Sequence, residues 1–318
     1  MRAKRAISLL LVVSVLLSSN PALGQENGSV FGDDNTLTGT GGTTMVIRAA
    51  TASWCDICKE VDPVVVRIAE SGGSTVTRIA MHPNDGIDPI GSRFSTQQVW
   101  ALGGDPTTLE YPTHWIGGNA AVVGAFDDNS YHRERIKHQM AIDPTESLYM
   151  HASMLENDTI AIEVSGNEMS DDWIGTLSFY ITEDGVDVGE AALDLKGVRY
   201  HDDVLRAGVV VNLETQEIQF QDPDDGWALE FAPDQVRVLV DRDDQWKLGD
   251  MEFTVLHEDG EGNYLSAITL PEQNPDYQNS DSAALILFAI LGGGCILATP
   301  YLGVKKVRHE DADADSEE

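Results

Sequence analysis

Cysteine is almost missing from this chain: three occur in 318 residues, and one of them, Cys295, lies within a long apolar run. The remaining pair, Cys55 and Cys58, could meet a soft ion together with His82 or His114. A four-ligand zinc site would need a further thiol or imidazole at recognisable spacing, and none appears. Basic residues are scarce as well, with 20 Lys and Arg against 53 Asp and Glu, a formal net charge of −33. A surface of this sign repels nucleic acid and anionic lipid headgroups, so no nucleic-acid partner is expected. Only six of the acids belong to the terminal stretch 310–318, which makes the charge a property of the whole surface. It suits a saline medium, where ions screen the self-repulsion. The densest oxygen clusters, at 222–225 and 241–244, lack the spacing of a recognised calcium loop and read as solvated turns.

Long uncharged apolar runs number two. Residues 1–24 begin with Arg2, Lys4 and Arg5, continue through an apolar run and leave through Ala22, Leu23 and Gly24, the form of a secretory signal peptide. Residues 283–304 hold 22 positions without a charge, enough to cross a bilayer as one helix. Lys305, Lys306 and Arg308 place its C-terminal side in the cytoplasm. The expected protein is therefore single-pass in the cell membrane, with an extracytoplasmic body and a cytoplasmic acidic tail at 305–318. Residues 25–42, rich in Gly, Thr and Asn, are expected as a linker, and 261–282 as a stalk leading to the membrane.

What is present is a redox spacing. Trp54-Cys55-Asp56-Ile57-Cys58-Lys59 follows a short β-branched, apolar stretch at 44–50 and precedes Val61, Val64, Val65, Ile68 and Ala69 at helical spacing. The pair thus stands at a strand-to-helix junction. A helix N-terminus carries unpaired N–H groups and partial positive charge, which stabilise a thiolate. With two residues between them, one sulfur can attack a disulfide and the other can resolve the mixed disulfide, so Cys55 is the expected nucleophile and Cys58 the resolver.

Trp54 directly before the pair, Lys59 directly after it and Pro63 five residues beyond Cys58 together resemble the thioredoxin-like family. Tyr111-Pro112-Thr113, ahead of Trp115 and Ile116, is similar to that family's cis-proline loop. The resemblance implies a thiol–disulfide oxidoreductase, with Pro112 cis and with Trp54, Tyr111, Pro112 and Thr113 forming the substrate groove. It implies no cofactor beyond the redox-active Cys55–Cys58 disulfide. Partners would be protein thiols or disulfides and a separate electron donor or acceptor, because a single-span chain with one membrane thiol cannot feed electrons across the bilayer. Two positions depart from the family. Ala49 stands where many thioredoxins carry a buried acid, and Asp56 with Ile57 fills the gap between the cysteines. An anion at Asp56 opposes thiolate formation. The alternative reading is a cell-surface binding or adhesion protein in which the pair is an inert structural disulfide.

From about residue 144 the pattern changes to alternating strand-like runs, at 159–164, 177–181, 208–211, 218–220 and 236–240, parted by Asn, Asp and Gly turns. The expected fold is an α/β thioredoxin-like domain at 43–141, an all-β sandwich domain at 144–260 and a single C-terminal transmembrane helix. That order resembles a family of bacterial surface and outer-membrane proteins, in which a His-containing stretch ending in Val-Leu-Arg recurs; residues 200–207 are similar to it. On this reading His201 and Arg206 make contacts between the two domains and carry no catalysis.

Overall fold

The computed structural model describes residues 30–31, 35–118, 121–123, 134–135, 137–138, 147–166, 173–189, 198–221, 226–232 and 234–271. All fall within the first of two units, residues 1–273 and 274–318. The expected signal peptide at 1–24, the apolar span at 283–304 and the acidic tail at 305–318 lie outside the described residues.

The strands are β1 (Thr36–Gly41), β2 (Met45–Ala50), β3 (Val76–Met81), β4 (Thr113–Ile116), β5 (Ala121–Val123), β6 (Leu148–Met154), β7 (Thr159–Gly166), β8 (Thr176–Glu183), β9 (Val186–Asp187), β10 (Tyr200–His201), β11 (Val204–Asn212), β12 (Glu217–Gln221), β13 (Ala228–Ala232), β14 (Gln235–Asp241), β15 (Met251–Glu258) and β16 (Tyr264–Leu270). Two α-helices have defined bounds among the described residues, α1 (Cys58–Gly72) and α2 (Arg93–Ala101). Helix α1 forms because Val61, Val65, Ile68 and Ala69 recur on one buried face. It ends at Gly73, whose φ of 54° is a conformation that costs glycine little. Helix α2 begins where the Ser92 hydroxyl accepts the Ser95 N–H at 3.0 Å.

These findings correct the expected fold class. The described chain is mostly β, and it is not an α/β thioredoxin fold followed by a separate sandwich and a membrane helix. A nine-stranded sheet runs in the order β16-β15-β8-β11-β3-β2-β4-β5, with β12 pairing β11, so strands from both halves share one ladder. The joint is the parallel pairing of β3 with β11 at Ala80 and Val204, reinforced by the Ala80 N–H donating to the Asp203 carbonyl at 2.8 Å. A separate α/β sheet would leave the β3 edge unpaired, and buried backbone groups do not stay unpaired. No helix among the described residues is long and apolar enough to cross a membrane. Strand β1 falls inside the stretch expected as a linker, where it pairs with β6 from Thr36↔Ser153 to Gly41↔Leu148. Strand β16 falls inside the expected stalk and pairs with β15.

A second sheet, β1-β6-β7-β14-β13, packs on one face of β8, β11, β15 and β16 in a sandwich-like arrangement. Period-two alternation sorts the side chains: Leu177, Phe179 and Ile181 of β8 enter that core, with Val209, Val211, Phe253 and Val255. Tyr180 turns to the opposite face and joins Val46, Ile79, Phe94, Trp115 and Leu256 under α2. Met45 and Ile47 of β2 point the other way, toward Val61, Val65 and Ile68 of α1. Strand β2 is therefore covered on both faces, which explains its unbroken run of buried residues. The β16 end of the sheet is tied back to the segment entering β2, since Thr44 N–H donates to the Ala267 carbonyl and Ala267 N–H to the Gly42 carbonyl.

Candidate functional site: the Cys55–Cys58 cleft

Strand β2 delivers the chain to the site and α1 carries it away. Cys55 and Cys58 are joined as a disulfide with a Cα–Cα distance of 5.2 Å. Cys58 opens α1, and its N–H points at the Cys55 sulfur at 3.1 Å. Cys55 is 8% exposed and Cys58 2%. The more exposed of the two cysteines is thus the one whose sulfur receives a helix N-terminal N–H, the environment that favours a thiolate once the bond is reduced.

The disulfide packs with Ala52, Trp54 and Tyr111. The Trp54 and Tyr111 rings meet edge to face, 5.6 Å between centroids. Trp54 Nε1–H donates to Asp85 Oδ2 at 2.7 Å, and the Asp85 Oδ1 atom accepts the Ile87 and Asp88 N–H groups. Burial pushes the Tyr111 hydroxyl up to about 12, with the nearby Asp85 and Asp88 charges adding to the effect. The Tyr111–Pro112 peptide bond is cis. Thr113 is fully buried and spends its hydroxyl on the Glu110 carbonyl, so its side chain offers nothing to a ligand.

On the other flank lies a cleft of about 310 Å³ lined by both cysteines, by Lys59, Asp62, Arg67 and Glu70 of α1, by Arg78 of β3, and by Val198, Tyr200, His201 and Asp202. Trp54, Tyr111, Pro112 and Thr113, the residues expected to form the substrate groove, do not line it. Asp62 is four positions beyond Cys58 and hence on the same helix face. It accepts the Thr51 hydroxyl at 2.6 Å and pairs with Arg78 at 3.2 Å. Arg78 also donates to the Asp202 carbonyl at 3.0 Å and reaches Asp203 Oδ2 at 3.3 Å. One buried guanidinium thus bridges α1 to the segment preceding β11. Asp203 has to sit in a low-dielectric pocket beside Asp184, and burial pushes its carboxyl well above the usual carboxylate range despite Arg78.

Behind the disulfide, Asp88 accepts the Ser53 N–H at 2.8 Å and the His82 Nδ1–H at 2.8 Å on one oxygen. Burial alone would raise its pKa, but the His82 contact and backbone donors hold it below the ordinary value. His82 in turn meets His201 edge to face at 5.3 Å. Sequence reasoning assigned His201 no role in the site and overlooked Asp62, Arg78 and Asp88. Asp62 alone left a signal, its spacing of four from Cys58. Arg206, expected as a contact between domains, pairs with Glu183 at 3.2 Å, across neighbouring strands of one sheet. No group of three or more metal-ligating side chains occurs among the described residues. Residues 241–244 run from the end of β14 into a turn, with Asp243 accepting the Gln245 N–H, while 222–225 lie outside the described residues.

No protein-family model matches the chain, and no curated protein matches it. Two solved structures are similar in part. HBP35 of Porphyromonas gingivalis is 13% identical with a TM-score of 0.47, over 72% of this chain and 74% of that one. Protein AGR_C_4864 of Agrobacterium tumefaciens is 13% identical with a TM-score of 0.41, over 72% of this chain and 94% of that one. At these values the likeness assigns the chain to no family.

Proposed function

We propose that this chain is a thiol–disulfide oxidoreductase that works through a mixed disulfide at Cys55, resolved by Cys58, on protein thiols or disulfides. The observation that carries the reading is the position of the pair: a disulfide at the N-terminus of α1, with the sulfur of its more exposed cysteine receiving an N–H and both cysteines lining a cleft. A disulfide between residues three apart closes too short a loop to stabilise the fold much by restricting the unfolded chain. Reactivity accounts for it better than stapling. Trp54 and Tyr111 offer an aromatic wall beside the sulfurs, suited to the apolar flank of a polypeptide substrate.

The test is adduct trapping. Reduced wild-type protein should convert glutathione disulfide to thiol and regenerate its own Cys55–Cys58 bond, leaving no adduct by intact-mass measurement. Cys58→Ser should retain one glutathione on Cys55, and Cys55→Ser should retain little. A Cys58→Ser protein that stays unmodified while free cysteine reacts under the same conditions would remove the assignment of Cys55 as the attacking group.

A further inference from the structure

Exchange at a cysteine pair needs a proton acceptor, because the thiolate is the nucleophile and an ordinary thiol is mostly protonated at neutral pH. Two side chains of the cleft stand out as acceptors for that proton: Asp62, on the same helix face as Cys58, and His201, an imidazole. Asp62 has its oxygens committed to the Thr51 hydroxyl and to Arg78. A carboxylate held in an ion pair is also a much weaker base toward a thiol than a neutral imidazole. His201 is placed differently. Its Nε2 lies 2.9 Å from the Val198 carbonyl. A carbonyl only accepts, so Nε2 carries the ring proton and Nδ1 of the neutral ring is an acceptor. No partner for Nδ1 is found among the described residues. The His201 ring packs at 89° against that of His82, which Asp88 anchors through Nδ1.

We propose that His201 is the proton-transfer residue of this cleft, taking the thiol proton at Nδ1 during attack and returning it to the departing sulfur; the proposal rests on the exchange reading above. In the first step the Cys55 sulfur attacks one sulfur of a substrate disulfide, its proton passing to His201. The Cys55–substrate bond forms, the substrate S–S bond breaks, and the leaving thiolate recovers the proton as a thiol. In the second step Cys58 attacks the Cys55 sulfur in the same way and releases the second substrate thiol. Two electrons and two protons pass from the cysteine pair to the substrate, and a dithiol reductant such as dithiothreitol reverses the sequence.

Burial, and after it the neighbouring His82, lowers the His201 pKa from its ordinary value, which keeps the ring neutral, with Nδ1 able to accept a proton, at neutral pH. Asp88 and Asp62 act against that shift. The remaining charged and titratable groups of the cleft are Lys59, Arg67 and Glu70 on α1, Arg78 on β3, and Tyr200 and Asp202 beside His201 itself.

The experiment follows the exchange rate of the reduced full-length chain with glutathione disulfide from pH 5.5 to 9.5, for wild type, His201→Gln and His201→Gly. Glutamine can still donate to the Val198 carbonyl but cannot take a proton. His201→Gln should be slower by at least about tenfold at pH 7. The gap should close above about pH 9, where a thiol of ordinary pKa ionises unaided. Added imidazole should restore much of the His201→Gly rate. A wild-type rate in His201→Gln at pH 7, or a loss constant across pH and indifferent to imidazole, would overturn the proposal while leaving exchange intact. A wild-type protein that shows no exchange would end both readings.

Discussion

Asp184 shows how a single side chain couples this structure to pH. Burial raises its pKa to about 6, with the nearby Asp202, Asp250 and Glu70 charges adding to the rise. Its Oδ1 accepts the Asp203 N–H at 2.8 Å, next to the residue that carries Arg78 across to α1. A carboxylate whose folded pKa lies above its unfolded value of about 3.9 binds more protons in the folded state between those two values. Stability from this group therefore rises as pH falls from about 6.5 toward 4, and Asp203 acts in the same sense. His201, whose folded pKa is lowered, acts in the opposite sense, so the comparison is between proteins: on going from pH 7 to pH 5 the urea midpoint of wild type should rise relative to that of Asp184→Asn. An unchanged slope in the variant would show that the pH dependence arises elsewhere. At this scale the sequence was informative where chemistry is local. Cys55, Cys58 and Trp54 could be read because short spacing and neighbouring residues identify them, and Tyr111 through the resemblance of its loop, which the structure packs against the disulfide. Asp88 and His201 could not, because they meet the site through a loop and a distant strand and leave no periodic pattern.

Among the elements, β2 is the clearest case of a strand that the two halves of the chain hold between them. Arg48 on β2 forms a two-pronged pair with Glu258 on β15, at 2.6 and 2.9 Å, with side-chain exposures of 4% and 9%. Taking two charges out of water is costly, so the pair is no measure of stability gained, but removing one partner strands a buried charge. Glu258→Ala should lower unfolding free energy by about 3–5 kcal/mol. The double variant Arg48→Met with Glu258→Leu should recover most of it, both measured by urea denaturation. Equal losses in single and double variants would mean that the contact is not coupled. Close approach does similar joining elsewhere: Phe94 of α2 lies flat where a Cβ on Gly208 of β11 would stand. Individual elements were legible from local pattern. The strand run at 177–181 and the helix carrying Val61, Val65, Ile68 and Ala69 stand where local pattern puts them. Strand β1 was not legible, since Thr and Gly alternate there and its residues are only half buried. The parallel joint between β3 and β11 was hidden for a stronger reason, because pairing between remote strands is written in no local window.

Over the whole molecule, the two faces of the nine-stranded sheet divide the labour. One face closes the sandwich-like core and, further along over β2, carries α1 with the disulfide at its N-terminus; the other face is covered by α2. The formal charge of −33 surrounds this arrangement and is partly screened by salt. Composition revealed that charge directly, while the merging of both strand sets into one ladder had to come from the structure. The central claim is that Cys55 and Cys58 form an exchangeable pair, and its most direct test is the reduction potential. The full-length chain is equilibrated with glutathione or dithiothreitol buffers, and the thiols are read by alkylation and mass. The account predicts a value within the range of exchange proteins, roughly −270 to −120 mV. A value below about −300 mV, with the bond resisting glutathione, is the behaviour of a structural disulfide and would contradict it.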